Sequence, residues 1–458
     1  MTDITCISPI DGSEAARRPA LSFEDAKAAF DKARAAQPAW AATPLEARKA
    51  AIVRFVEALE AKGDPLVPEL AKMMGRPVRY GGELGGVRER ALAMVELADE
   101  ALAPYIPPAR EGFVKAIKRV PAGVVLVLAP WNYPYLTAVN AIVPALLAGN
   151  SVILKHAAQT LLAGERIAEA MATAGIPEGV FQNLVLTHET VAQLIAARLA
   201  DHVNFTGSVA GGRAIETAAA GGFTSVTLEL GGKDPGYVRA DADLDAAVAG
   251  LIDGAMFNSG QCCCGIERIY VHESLYEAFV EKAAALVSTY ALGDPMDPAT
   301  TLGPMASARG AETVRRQVAE AVAAGARPLI DPAKFPEPGA AYCAPQVLVD
   351  VDHSMEVMRE ETFGPVVGIM KVKDDDEAVA MMNDSPYGLT VSIWTRDAQA
   401  ADALGDRLQT GTVFMNRCDY VDPYLAWTGV KDTGRGASLS PLGFAAMTRP
   451  RSFHLKLA

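Results

Sequence analysis

Three consecutive thiols, Cys262-Cys263-Cys264, follow Asn258-Ser259-Gly260-Gln261 and a helix-compatible stretch. A cysteine after a glycine turn can act as a nucleophile through its thiolate, whereas a free cysteine taken alone is more often a small buried hydrophobe. Neighbouring side chains point in different directions, so only one of the three thiols is expected to face a reactant. Upstream, Leu228-Glu229-Leu230-Gly231-Gly232-Lys233 sets a carboxylate inside an apolar strand that closes on a glycine pair. Such a Glu either alternates out to solvent or projects into a cleft with a raised pKa, as a general base requires. Pro130-Trp131-Asn132-Tyr133-Pro134 follows a buried apolar run. Gly207-Ser208-Val209-Ala210-Gly211-Gly212 makes a glycine turn into a helix, which suits an anion or a dinucleotide. It continues as Arg213-Ala214 where a P-loop needs Lys-Ser/Thr, and no G-x-G-x-x-G occurs. No metal site is expected, because adjacent cysteines cannot share a tetrahedral zinc without severe backbone distortion and C-x-x-C and H-E-x-x-H are absent.

The elements that must position these groups alternate. Apolar runs at Val124 to Leu128, Ser151 to Leu154, Gln182 to Val185, Val203 to Phe205 and Ser225 to Leu230 read as strands. Helix-compatible stretches at Leu136 to Ala148, Thr160 to Ala174, Glu189 to Leu199 and Val209 to Ala219 separate them. This is the pattern of a parallel sheet covered on both faces, with ligands bound at the strand C-termini. A second α/β stretch runs from about Lys233 to Arg417, with a helix over Leu244 to Met256, a strand over Arg268 to Val271 and a helix over Leu275 to Leu286. The first hundred residues read as helices, with Ser22 before Asp25, and Thr43-Pro44 before Glu46, as N-terminal caps. The basic run Phe113 to Val120 and the alternating tail Ser452 to Leu457 read as exposed strands.

The chain has 458 residues, 42 Lys+Arg and 55 Asp+Glu, for a net charge of −13. That balance gives no electrostatic reason to bind nucleic acid or an anionic membrane. The N-terminus lacks a basic segment followed by an apolar run, and the most apolar stretches fall far short of the ~20 residues that span a bilayer. The six cysteines are not laid out as a disulfide framework. A cytoplasmic, reduced setting is expected.

Taken together, Pro130-Trp131-Asn132, Lys155, Phe205-Thr206-Gly207-Ser208, Glu229-Leu230-Gly231-Gly232-Lys233, Gly260-Gln261-Cys262-Cys263, Glu361-Thr362-Phe363-Gly364-Pro365 and Tyr387-Gly388-Leu389 resemble, in order and spacing, the aldehyde dehydrogenase superfamily. The resemblance covers nearly the whole chain. It implies an α/β fold with a Rossmann-type parallel-sheet cofactor domain (1–105 and 121–231), a second α/β catalytic domain (232–417), a small β oligomerisation arm (106–120 and 438–458) and a loop lining the substrate tunnel (418–437). It also implies a homodimer or homotetramer and oxidation of an aldehyde to an acid with NAD or NADP.

By the same resemblance Cys263 is the nucleophile, Glu229 the general base and Asn132 an oxyanion donor. Trp131, Lys155, Ala158, Gln159, Gly207, Ser208, Leu230, Glu361 and Phe363 fall at cofactor positions. Tyr135, Thr137, Asn140, Met256, Phe257, Cys418, Asp419 and Tyr420 fall along the substrate tunnel. The chain departs from the pattern in three places. Ala158 replaces the acid that clamps the adenosine ribose, Ala426-Trp427-Thr428-Gly429 replaces Pro-Phe-Gly-Gly, and Gly436-Ala437-Ser438 replaces Gly-Arg-Glu. Asn140 falls where the succinate-semialdehyde branch carries an arginine, which counts against a dedicated enzyme of that branch. Two alternatives are a CoA-acylating relative, which typically lacks the base that Glu229 provides, and a non-catalytic binding protein on the same fold. A Cys-His hydrolase needs a histidine beside Cys263, and none of the six sits in a recognisable motif.

Overall fold

The computed structural model describes residues 2–457, so Met1 of the N-terminal reading and Ala458 of the arm lie outside the described residues. The apolar runs between 124 and 229 form one sheet. In spatial order it contains Gly434–Arg435, Ser225–Glu229, His202–Thr206, Val124–Ala129, Ser151–His156 and Phe181–Asn183. All pairs are parallel except Gly434–Arg435, which runs antiparallel to Ser225–Glu229. Val124–Ala129 and Ser151–His156 are buried along their full length, as central strands covered on both faces must be. The crossovers are helices: Pro134–Leu147, Leu161–Thr173, His188–Ala196 and Val209–Ala219.

A second sheet has seven strands, ordered Arg327–Pro328, Gln346–Val349, Val366–Val372, Ile266–His272, Asp234–Val238, Thr390–Trp394 and Thr412–Met415. Only the two-residue edge strand is antiparallel. Its first helix, Leu244–Met256, is capped by Asp243, whose side chain accepts from the Ala246 N–H at 3.1 Å. A ribbon of Phe113–Pro121 against Thr448–Lys456 makes up the arm. It starts at Thr448 and not at 438, because Leu439, Phe444 and Met447 are buried in the core beside the helix Leu84–Leu102.

Two local expectations fail. The chain opens with a hairpin, Asp3–Ile7 against Glu14–Pro19, before any helix. These strands are too short to show a period, and contacts from elsewhere hold them: Arg18 pairs with Glu165, and the Cys6 thiol bonds to the Gln159 carbonyl. Ser22 does cap the helix Phe23–Ala42, but Thr43 is not the N-cap of the next helix: it is the C-cap of Phe23–Ala42, its hydroxyl bonding back to the Ala39 carbonyl, and Pro44 precedes Leu45–Glu60. Among the described residues no helix is long and apolar enough to cross a membrane.

Candidate active site

The thiols lie on a turn that follows a run of left-handed backbone, with φ of 53°, 55° and 70° at Asn258, Ser259 and Gly260. Only glycine fits the last position, where a Cβ would stand 2.1 Å from the Gly364 carbonyl oxygen. The Gly265 N–H closes the turn onto the Cys262 carbonyl at 3.1 Å. This curvature overturns the expectation that the sulfurs diverge. All three lie within 4.8 Å of one another, and Cys262 Sγ is 3.4 Å from Cys264 Sγ. The geometric objection to shared metal ligation fails with it, since the turn supplies the bend that an extended chain lacks. The sulfurs differ in environment. Cys262 and Cys264 are buried and donate to Asp419 Oδ1 at 3.1 and 3.2 Å, while Cys263 is the partly exposed one. The two flanking thiols hold the Cys263 thiol below the ordinary range against the effect of burial.

Glu229 ends its strand with its carboxylate buried. Ser438 donates to Oε1, and Thr206 Oγ1 donates to Oε2 at 3.4 Å. Burial raises this carboxyl's pKa, and the Ser438 bond, the Arg90 charge and the Thr206 bond oppose the rise. A carboxyl whose proton affinity is raised in this way suits a general base.

Asn132 is fixed from behind. Arg76 donates to its carbonyl and to Glu83, both side chains of that ion pair being buried. Glu83 Oε2 in turn accepts the N–H groups of Tyr135 and Leu136 at 3.0 and 2.9 Å, satisfying two orphan donors of the helix Pro134–Leu147.

Two cavities meet at these groups. One of about 230 Å³ is lined by Trp131, Asn132, Gly207, Ser208, Glu361 and Phe363. The other, about 420 Å³, reaches Phe257, Thr137, Asn140, Cys418, Asp419 and Tyr420. Cys263, Glu229, Thr206 and Leu230 line both. No histidine lines either, so no Cys-His pair exists at this centre among the described residues.

The smaller cavity, at the mouth of a helix and lined by polar and aromatic side chains, has room for one end of a dinucleotide. Ser208 caps the helix Val209–Ala219, Phe363 stands edge-on to Trp131 at 5.5 Å, and Glu361 accepts the Gly232 N–H at 3.1 Å. A Cβ at Gly231 would lie 2.4 Å from both Glu361 carboxylate oxygens, so glycine is what lets the strand end approach that side chain. The Glu361 segment is positioned by Glu267, which accepts the Thr362 and Phe363 N–H groups at 2.8 Å each while paired with buried Lys233.

Lys155, Ala158 and Gln159 line neither cavity and lie further along the same sheet edge. Burial draws the Lys155 ammonium down to about 8. Ala158 is exposed. Gln159 is corrected to a structural residue: its amide donates to the Ile7 and Met73 carbonyls and ties down the N-terminal hairpin. His156 is structural as well, bonded to the Pro134 carbonyl at 3.1 Å and to Thr160 Oγ1 at 3.0 Å, and burial draws it down to about 4, so it stays neutral.

On the substrate side Tyr135 and Met256 are corrected to core residues, fully or almost fully buried. The helix begins at Pro134, so Tyr135 turns inward and Tyr133, at the cap position, lines the cavity instead. Thr137 bonds to the Tyr133 carbonyl at 2.6 Å, Tyr420 donates to Glu89 at 2.8 Å, and Cys418 bonds to the Gly250 carbonyl at 3.2 Å. Phe257 packs on Tyr80 with ring centroids 4.6 Å apart. The sequence reading missed Arg76, Glu83, Arg90 and Ser438. Arg90 had a legible signal: it falls on the stripe of Val87, Ala91, Met94 and Ala98 that the helix Leu84–Leu102 buries. It donates to Asn140 Oδ1 at 3.3 Å, so a cation does stand beside the position where the succinate-semialdehyde branch carries its own.

The sequence pattern of the aldehyde dehydrogenase family matches residues 1–453. A geranial dehydrogenase of Castellaniella defragrans is 35% identical over 95% of this chain and 92% of its own length. An NAD(P)+ succinate semialdehyde dehydrogenase of Escherichia coli is 33% identical over 96% of each. The solved structure of a succinic semialdehyde dehydrogenase from Streptococcus pyogenes with NADP+ superposes with a TM-score of 0.94 at 28% identity, covering 99% of this chain and all of that one. The chain belongs to the aldehyde dehydrogenase family, oxidoreductases that convert aldehydes to carboxylic acids with NAD(P).

Proposed function

We propose that Cys263, Glu229 and Asn132 carry this oxidation at the junction of the two cavities, with the aldehyde entering through the larger one. The single observation that carries the reading is that Cys263 and Glu229 border both spaces. The Cys263 thiolate adds to the aldehyde carbon, forming a C–S bond and an alkoxide. The Asn132 side-chain amide and the Cys263 N–H hold that oxyanion, a contribution of ~3 kcal/mol per donor. NAD(P) held beside Trp131, Glu361 and Phe363 would supply the hydride acceptor. Loss of that hydride from the same carbon leaves a thioester on Cys263. Glu229 takes a proton from water, the hydroxide adds to the thioester, and the C–S bond breaks to release the acid and regenerate the thiolate.

The domain assignment follows from the same reading. Residues 1–105 and 121–231 hold the cofactor, 232–417 carry the thiol, and 418–437 close the tunnel. Trp131, Gly207, Ser208, Leu230, Glu361 and Phe363 hold the nicotinamide half of the cofactor, and Lys155 and Ala158 flank the adenosine half. Thr137, Asn140, Phe257, Cys418, Asp419 and Tyr420 shape the path of the aldehyde. In the ribbon Phe113–Pro121 with Thr448–Lys456, Tyr105 bridges the outer edge at Ile117, while the outer edge of Thr448–Lys456 pairs with no strand among the described residues; with Val114 and Leu455 exposed, this supports a homodimer or homotetramer assembled through the ribbon. The free cysteines support a cytoplasmic setting.

The test is a panel of aliphatic, aromatic, amino- and carboxy-aldehydes with NAD or NADP. Reduced cofactor should form with the wild type and not with Cys263→Ala. Turnover by Cys263→Ala would overturn the reading.

A further inference from the structure

Cys262 and Cys264 are buried, and both donate to one oxygen, Asp419 Oδ1, at 3.1 and 3.2 Å, with 3.4 Å between the two sulfurs. Two sulfurs and an oxygen thus form a triangle of nearly equal edges. Cys263 Sγ lies within 4.8 Å of both sulfurs and, as the partly exposed thiol, borders the cavities through which an ion would arrive. Among the described residues no other set of three or more Cys, His, Asp or Glu side chains converges in this way. The nearby Cys418 is turned away, bonded to the Gly250 carbonyl at 3.2 Å.

The edges of that triangle match one face of a coordination tetrahedron. A zinc ion with Zn–S of about 2.3 Å and Zn–O of about 2.0 Å sets its sulfurs ~3.8 Å apart and its sulfur–oxygen edges at ~3.5 Å. The observed edges fall short by roughly 0.3–0.4 Å, a difference that small side-chain rotations supply once the thiol protons have gone. Three sulfurs and one carboxylate oxygen select a thiophilic divalent cation over Mg²⁺ or Ca²⁺, which take shells of oxygen. On binding, each coordinating thiol gives its proton to solvent, and Arg90, which lines the same cavity, offsets part of the negative charge of the thiolates.

We propose that Cys262, Cys263, Cys264 and Asp419 form an inhibitory site for a thiophilic divalent cation, with Zn²⁺ as the type case. Coordination commits the sulfur lone pair of Cys263 that would attack an aldehyde, so the bound ion stops turnover and its removal restores it. The two flanking cysteines and Asp419 turn a single thiol, a weak ligand by itself, into a chelating set. The binding site stands on this geometry alone, and its inhibitory effect rests on the reading of Cys263 as nucleophile.

The test adds Zn²⁺ alone, or Co²⁺ as its spectroscopic stand-in, to the full-length protein reduced with a phosphine and freed of metal with EDTA. One ion per chain should bind, Co²⁺ should show tetrahedral visible bands with sulfur-to-metal charge transfer, and NAD(P) reduction should fall in step with occupancy and return with EDTA. Competition with a chromophoric chelator should show the Zn²⁺ dissociation constant rising ~100-fold or more in Cys262→Ala and Cys264→Ala and ~10-fold in Asp419→Asn. Melting of the metal-free variants checks their fold, and the wild-type Co²⁺ spectrum decides the matter without any variant. A wild type without thiolate bands, or folded flanking variants that bind Zn²⁺ as tightly as the wild type, would overturn the proposal while leaving the aldehyde chemistry standing. A fully occupied site with undiminished turnover would overturn the inhibitory role and count against Cys263 as nucleophile.

Discussion

The Ser438 hydroxyl donates a hydrogen bond to Oε1 of Glu229, joining residues 209 positions apart in the sequence. Ser438 reaches the carboxylate because Ala437–Ser438 pairs with Trp427–Thr428 and the adjacent Gly434–Arg435 adds to the edge of the sheet at Leu228 and Glu229. A donor to a carboxylate stabilises the charged form and lowers its pKa. Ser438→Ala should therefore raise the Glu229 pKa further and move the acid limb of the deacylation rate toward higher pH. Roughly three- to tenfold slower deacylation at neutral pH is expected for one lost bond of this kind. Single-turnover thioester hydrolysis across pH reads the limb directly.

Glu229→Gln keeps the shape and removes the base. Deacylation should slow by ~10²-fold or more. A burst of reduced cofactor followed by little turnover is the expected trace in rapid mixing. Wild-type steady-state rates in this variant would remove Glu229 from the mechanism.

The three thiols are close but not equivalent. Cys262→Ala and Cys264→Ala should keep a substantial fraction of activity, and mass spectrometry of the trapped acyl enzyme should find the adduct on Cys263. Cys262 and Cys264 hold the Cys263 thiol below the ordinary range, so its alkylation by iodoacetamide should persist at pH values where a free thiol has become unreactive. The rate should fall as pH drops through the lowered pKa and protonates the sulfur. Replacing either neighbour should move that fall to higher pH.

Gly231→Ala places a methyl group against the Glu361 carboxylate, 2.4 Å from either oxygen in the present geometry. Glu361 or the strand end must shift. We expect the Michaelis constant for NAD(P) to rise roughly tenfold, the size of one lost charge-assisted contact. Equilibrium titration of the reduced cofactor checks it.

On the proposed placement of Ala158 beside the adenosine ribose, cofactor choice turns on that residue. No carboxylate stands there to accept the ribose hydroxyls or to repel a 2′-phosphate, and Gln159 is committed to main-chain carbonyls of the N-terminal segment, so it does not compensate. NADP should be used at least comparably to NAD. Ala158→Glu should shift preference toward NAD, chiefly by raising the Michaelis constant for NADP, with ~1.5–3 kcal/mol at stake. Lys155 adds a pH signature. Its ammonium is drawn down to about 8, so it is charged below that value and loses its proton as pH rises through it. The NADP constant should worsen above about 8 more than the NAD constant does. A constant NADP/NAD ratio over that range, and in Ala158→Glu, would place both residues away from the 2′-position.

The sequence by itself determined the family and the order of its motifs along the chain. The strands between 124 and 229 are legible because full burial demands unbroken apolar runs, and the Trp131-Asn132, Gly207-Ser208 and Glu229 segments follow at or near their C-terminal ends. Local periodicity could not decide which way a side chain faces once the backbone curves. The cysteines sit on a turn, so their sulfurs converge; the helix begins one residue after Tyr133, so Tyr133 and not Tyr135 reaches the cavity. Nor could it join residues that only packing brings together. Ser438 on Glu229, Glu83 at the helix Pro134–Leu147 and Arg90 beside Asn140 lie far apart in the chain, and their meeting depends on how the helix Leu84–Leu102 and the C-terminal segment close over the sheet. The residue types carry the reaction, and the tertiary structure decides which thiol is exposed, what holds the base, and which cation lines the tunnel.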